Sequence, residues 1–247
     1  AYPLIAASRA ILFFIGFTLF YISLTKIPLA EANSLFFVNP IFMTIFSVWF
    51  LKNSIGLHRL GAIFFGFLGT LLIVKPSFTN FNGYMVLPII TALTYAMSMT
   101  LSKLTSDKDS SFQQSFHIYF GGLIFGTLIY SAISTNFITI ENEQLIFLTN
   151  PWVFSELNIF IPITVIAITG SLGIFCLISA YRVGSPQLNA PFEYILLIYS
   201  LITGYIVFGE IPDPLSFFGM VLIICSGIYI FVREQINNEL VASIKSR

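Results

Sequence analysis

The sequence predicts an all-α polytopic membrane helix bundle with eight transmembrane helices. Of its 247 residues, 57% are hydrophobic and 9% are charged, against roughly 25% charged in an ordinary globular domain. A transmembrane helix needs about 20 mostly apolar residues, and stretches of nearly this length recur along the chain. They are apolar on every side, as over Ile11–Leu19, whereas barrel strands in lipid alternate apolar and polar residues.

Each span is predicted from an apolar segment that reaches across the hydrocarbon core, or falls slightly short where its ends lie among the headgroups. The residues before the first span are too few and too weakly basic for a signal peptide, so we interpret them as an inner loop. In chain order the predicted spans are Ala10–Thr25, Asn33–Leu51, Leu60–Val74, Tyr84–Leu101, Phe112–Ser134, Ile159–Tyr181, Leu188–Phe208 and Leu215–Val232.

The distribution of lysine and arginine predicts the orientation, because basic residues of short loops stay on the cytoplasmic side. With the N-terminus inside, only Lys26 and Lys75 fall outside. The inner segments then hold Arg9, Lys52, Arg59, Lys103, Lys108, Arg182, Arg233, Lys245 and Arg247. Both termini are therefore predicted to be cytoplasmic.

An internal repeat connects the two halves of the chain. The segment Tyr21–Lys26, followed by Asn33 and Phe36, aligns with Leu177–Arg182, followed by Asn189 and Phe192, at a constant offset. Further on, the residues Gly61, Gly69, Val74 and Lys75 align with Gly219, Gly227, Val232 and Arg233. Because an odd number of spans separates the copies, they cross in opposite directions, which is the inverted-topology repeat of many secondary transporters. The alternative is that apolar helices resemble one another by composition alone.

The repeat predicts the domain organisation. Residues 1–76 form an incomplete first copy of three helices, residues 84–234 form a five-helix second copy, and residues 235–247 form a cytoplasmic tail. Since the first copy matches only the last three helices of the second, we expect two spans before Ala1. Either the chain is part of a ten-span protein, or it is a natural variant with an incomplete first half.

Several motifs in the second copy resemble the EamA-like branch of the drug/metabolite transporter superfamily. They are Asn189-Ala-Pro-Phe-Glu-Tyr194, Gly204, Phe208-Gly-Glu-Ile-Pro-Asp213, Gly219 and Gly227. The resemblance implies a ten-span carrier built from two five-helix inverted repeats, here without the first two helices. The Pro-Phe-Glu-Tyr form is similar to that of bacterial carriers of S-adenosylmethionine or amino-acid-type metabolites.

Glu193 is the one acidic residue that lies well inside a predicted span. Burying such a charge in lipid is unfavourable by at least ~2.5 kcal/mol on insertion scales, so it is a functional candidate by default. Asn189, Ser200 and Gly204 follow the same helix face, which we expect to line the bundle interior. We interpret Glu193 as a substrate-binding or proton-coupling carboxylate; the alternative is a structural or interface-snorkelling glutamate.

Two further polar stripes accompany this face. One follows the fourth predicted span through Pro88, Thr91, Tyr95, Ser98 and Ser102, and the other includes Asn33 and Pro40. Serine and threonine in such stripes can instead bond the preceding turn or pack between helices. The predicted substrate-binding or coupling residues are Glu193, Asn189, Tyr194, Tyr95, Ser98, Thr91, Asn33 and Ser200.

Small residues in the fifth and sixth predicted spans suggest close helix packing. They are Gly122 with Gly126, and Gly170 with Gly173. No cofactor, catalytic residue or metal site is predicted, because His58 and His117 stand apart and no carboxylate pair is present.

The leading functional prediction is a secondary transporter in a bacterial-type inner membrane that moves a small organic metabolite by alternating access. The metabolite class is amino-acid-like or nucleoside-like, with S-adenosylmethionine as one candidate. The expected partners are this small molecule and the lipid bilayer, with a homodimer left open and no nucleic acid. The alternatives are a membrane-embedded lipid-modifying enzyme and a structural or assembly subunit.

Overall fold

The computed structural model describes residues 2–51, 57–74, 82–135, 157–184, 189, 193 and 195–245, and these residues form helices and turns without a strand. The helices are α1 (Pro3–Ser23), α2 (Leu29–Phe36), α3 (Asn39–Leu51), α4 (Leu57–Val74), α5 (Val86–Leu104), α6 (Ser111–Ser134), α7 (Leu157–Val183), α8 (Ile195–Thr203) and α9 (Pro214–Lys245). A 3-10 turn, Gly83–Met85, precedes α5, and a π-helical turn, Gly204–Phe208, follows α8.

The predicted all-α bundle is confirmed, and each predicted span overlaps an apolar helix. Among the described residues, five helical segments have the length and composition to cross a membrane, with α2 and α3 counted as one segment. They are Pro3–Ser23, Leu29–Leu51, Gly83–Leu104, Ser111–Ser134 and Phe160–Val183. Shorter apolar helices occupy Phe64–Ile73, Tyr199–Phe208 and Pro214–Tyr229. The chain is a multi-pass membrane protein.

The first helix begins earlier than predicted. α1 starts at Pro3, whereas the predicted span starts at Ala10, directly after Arg9. A proline favours the first turn of a helix because its φ is already helical and its missing N–H is not needed there. Arg9 therefore lies within α1, and its side chain is fully buried.

The second predicted span is interrupted near its start. α2 ends at Phe36 and α3 begins at Asn39, with a turn at residues 37–38. Pro40 accounts for the break, because it has no N–H to donate to the carbonyl of Phe36, four residues before it, and its ring clashes with that carbonyl in a continuous helix. The side chain of Asn39 consequently stands at the N-terminus of a half-helix inside the membrane region.

The last two predicted spans also differ from single regular helices. α8, Ile195–Thr203, passes into the π-helical turn Gly204–Phe208, and the residue that follows this turn is Gly209 with φ 67°. Glycine adopts this left-handed conformation without a Cβ penalty and therefore ends the helix cleanly. α9 continues beyond the predicted Val232 to Lys245, so the described part of the predicted tail is helical.

Close helix contacts occur where α4 meets α9, and on α6 at Gly121, where an added Cβ would lie 2.5 Å from the Cβ of Ala10 on α1. A Cβ added to Gly69 would lie 2.7 Å from the carbonyl oxygen of Gly219, and one added to Gly219 would lie 2.6 Å from that of Gly69. In contrast, a Cβ on Gly122 or Gly126 meets no atom of the described residues within 4 Å. The predicted packing role of these two α6 glycines is therefore wrong within the described part of the chain.

The bundle places α1, α3 and α7 around α5, while α6 packs on α1 and α7. α5 is the most buried of the long apolar helices, whereas α6 and α7 each bury only 6% of their most apolar stretch. The latter two helices therefore lie on the outside of the bundle, with most of their surface exposed. One buried hydrophobic cluster contains residues from α1, α3, α5, α6 and α7 and so connects these five helices. Its members include Phe13, Met43, Tyr95, Met99, Ile118, Ile178 and Tyr181.

Candidate functional site

The carboxylate of Glu193 accepts hydrogen bonds from three side chains that come from three different helices. Its Oε1 accepts from the hydroxyls of Tyr95 on α5 and Tyr181 on α7, each at 2.6 Å. Its Oε2 accepts from Nδ2 of Asn39, the first residue of α3, at 3.1 Å. Hydrogen bonds to an ionised acceptor are about twice as strong as neutral ones. The three donors therefore hold the carboxylate in one position.

Burial strengthens this arrangement. Tyr181 and Asn39 are fully buried and Tyr95 is 9% exposed, while Glu193 is partly buried. Hydrogen bonds in such a low-dielectric region are electrostatically stronger than in water. Because Asn39 begins α3, the carboxylate also lies at the positive end of a helix dipole, which favours negative charge. Neutral dipoles, and not a cationic side chain, are thus its hydrogen-bond partners in the described residues.

An apolar cavity of about 310 Å³ lies against this carboxylate. This volume is at the lower end of the range of roughly 300–1,000 Å³ that small-molecule sites occupy. Glu193 and Tyr95 bring polar groups to a wall that is otherwise mostly apolar. The lining residues are Leu12, Phe13, Gly16, Phe17, Phe20, Asn33, Phe36, Thr91, Thr94, Tyr95, Leu177, Glu193 and Leu196.

Aromatic rings make up much of the cavity wall. Phe13 stacks on Phe17 with ring centroids 4.8 Å apart. The Tyr95 ring makes a T-shaped contact with Phe36 and a tilted contact with Phe13, with centroid distances of 5.2 Å and 6.2 Å. Phe20 extends the same wall toward Phe36, at 6.3 Å. The face of an aromatic ring carries the negative part of its quadrupole and therefore attracts cations. The same face can also stack on another planar ring. The cavity therefore suits a compact organic molecule with a ring, a positive charge, or both.

Half of the predicted site residues lie together at this cavity. Glu193, Tyr95, Thr91 and Asn33 all line it. Thr91 also fixes its wall, because its Oγ1 donates to the carbonyl of Gly16 on α1 at 3.0 Å. The polar stripes thus converge from α2, α5 and the segment before α8.

The other predicted residues lie away from the cavity wall or outside the described residues. Ser98 is buried and donates to the carbonyl of Arg9 at 3.4 Å. Ser200 is buried on α8. Asn189 donates from Nδ2 to the carbonyl of Ala180 at 2.6 Å, near the end of α7. Tyr194 lies outside the described residues.

Sequence reasoning did not select Tyr181 and Asn39 as site residues, although both contact the carboxylate. Tyr181 follows the buried Ile178 by three residues, so helical spacing places both on one face of α7. Asn39 is a polar residue beside a proline within an apolar segment. Such a pattern is a signal for a broken helix whose end lines a polar or water-filled site.

A multi-pass helical bundle that encloses an apolar cavity with one buried carboxylate has the architecture of a membrane carrier. The chain belongs to the EamA-like transporter family, whose sequence profile matches residues 3–75 and 82–232. Membership of this transporter family confirms the predicted resemblance.

Curated relatives with transport functions match most of the chain. The S-adenosylmethionine uptake transporter of Rickettsia bellii is 29% identical over 233 residues, which cover 94% of this chain and 74% of the relative. The riboflavin transporter of Brucella anthropi is 24% identical and covers 89% of this chain and 73% of the relative. The pseudopaline exporter of Pseudomonas aeruginosa is 26% identical over 83% of this chain and 66% of the relative.

Proposed function

We propose that the chain is a secondary transporter that carries a small organic metabolite through the Glu193 cavity by alternating access. The observation that carries this proposal is the carboxylate itself, held by donors from α3, α5 and α7 beside an apolar cavity. An ionisable group inside a membrane bundle is costly and marks substrate or ion pathways. One relative is named as an uptake transporter and another as an exporter. These names support transport across the membrane, and the direction of transport is to be measured.

The chemistry of the cavity supports a metabolite that combines a planar ring with a basic or cationic group. The carboxylate provides a counter-charge for an ammonium or sulfonium group, and the phenylalanine wall provides stacking and cation–π surfaces. Amino-acid-like and nucleoside-like metabolites contain these groups. S-adenosylmethionine contains both, and four relatives from Rickettsia are named as its uptake transporters. We therefore propose it as the first candidate substrate.

The test is uptake of radiolabelled S-adenosylmethionine into sealed bacterial membrane vesicles that contain the chain. We expect saturable uptake above that of empty vesicles, with competition by other members of the same metabolite class. Asp107→Asn, in the exposed turn between α5 and α6, is the matched control for Glu193→Gln and should leave uptake unchanged. Saturable uptake of an amino acid or a nucleoside instead would retain the transport mechanism and replace the substrate.

A non-enzymatic role forms part of the proposal. Within the described residues, the polar groups at the cavity are one carboxylate and neutral hydroxyl and amide groups, not the acid–base or nucleophile pairs that transferases use. The named relatives are transporters. Turnover of a lipid substrate by purified protein without any vesicle flux would favour the enzyme alternative, and neither activity would favour an assembly subunit.

We also propose the plasma membrane of a bacterium as the location, with both termini in the cytoplasm. The bias of lysine and arginine toward one set of loops supports this orientation. The sequence repeat supports inverted copies at residues 1–76 and 84–234, with a tail at 235–247. Reporter fusions after Lys245 and within residues 136–156 test the orientation, and cross-linking in native membranes tests for a homodimer.

A further inference from the structure

A second polar centre lies beyond the end of the cavity, and the Glu193 site does not use it. Arg9 is fully buried inside α1, and its Nη1 donates to Oγ1 of Thr105, the residue that ends α5, at 3.2 Å. Asp109, 2% exposed in the turn before α6, interacts electrostatically with Arg9. Gln114 on α6 donates from Nε2 to Thr105 Oγ1 at 3.3 Å. These four residues are the Arg9 cluster.

The Arg9 cluster joins three helices at one end of the bundle. Gln114 also donates to the carbonyl of Ser102 at 3.1 Å and accepts from its hydroxyl. The neighbouring α7 is tied to the same end by Arg182, whose Nη2 donates to the carbonyl of Ser106 at 2.8 Å. Side-chain hydrogen bonds thus connect α1, α5, α6 and α7 at the end where α1 begins.

The cluster lies on the same helix faces that line the cavity. On α1 the lining residues extend from Leu12 to Phe20, and Arg9 precedes Leu12 by three residues, which places them on one face. On α5 the lining ends at Tyr95. The next residue on that face, Ser98, donates to the carbonyl of Arg9. Along these helix faces, the cavity therefore lies on one side of Ser98 and the packed Arg9 cluster lies on the other side.

The closed cluster is not fully satisfied, which makes it suited to opening. Nε and Nη2 of Arg9 are buried and lack a hydrogen-bond partner within the described residues. A buried donor without a hydrogen-bond partner carries an unfavourable desolvation cost, which is larger when the donor is charged. Hydration of the guanidinium on opening would recover this cost and offset the lost contacts. Two states of similar free energy are what alternating access requires.

We propose that the Arg9 cluster is the gate that closes the substrate cavity at this end of the bundle and opens in the other half of the transport cycle. The proposal rests on the proposed transport function. Arg9 is a positioning residue, since it acts by holding α1 against α5 and α6 and does not contact the cavity. Loss of its charge or of its counter-charge Asp109 weakens the gate.

The test measures whether a thiol at position 98 is reached from each side of the membrane. Ser98→Cys is introduced with Cys176 and Cys225 replaced by alanine, and sealed vesicles of both orientations are treated with a small membrane-impermeant thiol reagent. Asp107→Cys, exposed beside the cluster, identifies the side to which this end faces. Ile223→Cys, fully buried where α9 packs on α4, reports general loosening of the bundle.

Adding Arg9→Gln is expected to raise labelling at position 98 about tenfold from the Asp107 side only, as for a shift of about 1.4 kcal/mol in the gate equilibrium. Asp109→Asn should act in the same direction, and Thr105→Val more weakly; these two variants decide the test if Arg9→Gln does not insert. Unchanged labelling from the Asp107 side overturns the proposal. Increased labelling from both sides, or at position 223, assigns Arg9 a purely structural role and also overturns it.

Labelling requires no substrate, so the gate and the transport function fail separately. Uptake that persists with unchanged labelling at position 98 refutes the gate alone. Side-specific labelling in a protein that moves none of the tested metabolites retains the gate and refutes those substrates.

Discussion

The hydroxyl of Tyr181 donates to Glu193 Oε1 over 2.6 Å, and the two residues are 12 positions apart in the chain. Tyr181 lies in the last turn of α7, a helix that is mostly exposed, whereas Glu193 precedes α8 in the chain and lines the cavity. Their contact links the wall of the bundle to its centre. It makes Tyr181 a sensitive position for testing the site.

Tyr181→Phe should slow transport while preserving the fold. The ring remains, but the carboxylate loses a hydrogen bond of the charged type, which contributes about 1.5–3 kcal/mol. If the full loss appears in the rate-limiting state, initial uptake falls about ten- to a hundredfold at equal protein level. Tyr21→Phe, at an exposed tyrosine of α1, is the matched control. Equal uptake by Tyr181→Phe and Tyr21→Phe would remove Tyr181 from the site.

Glu193→Gln should abolish the dependence of transport on pH. Glutamine keeps the shape and an acceptor oxygen, but it carries no titratable proton. With proton coupling through Glu193, uptake by the unmodified chain varies with pH and falls when a protonophore is added. The variant should show slow uptake that neither treatment changes. A pH profile that is identical in both proteins, after correction for rate, would assign coupling to another group.

Gly219→Ala should destabilise the bundle, whereas Gly122→Ala should not. The added Cβ at position 219 meets the backbone carbonyl of Gly69 at 2.6 Å, and backbone cannot rotate away as a side chain can. Overpacking of this kind costs about 1–3 kcal/mol of folding free energy. A lower thermal midpoint in detergent for Gly219→Ala alone is the expected measurement. Equal midpoints would mean that α4 and α9 separate at little cost.

Glu210→Ala should weaken the start of α2. Oε2 of Glu210 accepts from the backbone N–H of Leu29 at 3.0 Å and thereby satisfies a donor that the first turn leaves open. Loss of a cap typically costs about 1 kcal/mol. Glu210→Gln keeps an acceptor and should cost less. Hydrogen exchange at the N–H of Leu29 measures the effect directly. The exchange rate is expected to be lowest with glutamate at position 210, higher with glutamine and highest with alanine.

The positions of the spans could be predicted because hydropathy alone dictates where a chain crosses lipid. The cavity-facing side of α5 could also be predicted, since Thr91 and Tyr95 follow helical spacing on an unbroken helix. The start of α1 could not be predicted, because a charged residue such as Arg9, next to an apolar segment, is typical of the end of a membrane span. Its burial depends on partners such as Thr105, which is 96 residues away in the chain.

The composition of the site was predicted only in part, for reasons of geometry. Helical spacing predicts Asn189 beside Glu193, but its Nδ2 donates to the carbonyl of Ala180 near the end of α7, and the residue does not line the cavity. Tyr181 carries no charge and lies in an otherwise apolar helix, where tyrosine is more typical of the interface. Its role emerges only when α7 is placed against α5. The roles of all these residues in transport stay predictions.

The exposure of α7 has a consequence for how the protein responds to its surroundings. This helix supplies Tyr181 to the site, yet only 6% of its most apolar stretch is covered by protein. We expect acyl chains to pack on the exposed surface of α7, and helices adjust their tilt to the hydrocarbon thickness around them. A change in the tilt of α7 would move the Tyr181 phenol relative to the Glu193 carboxylate. We therefore expect bilayer thickness to alter the geometry of the site.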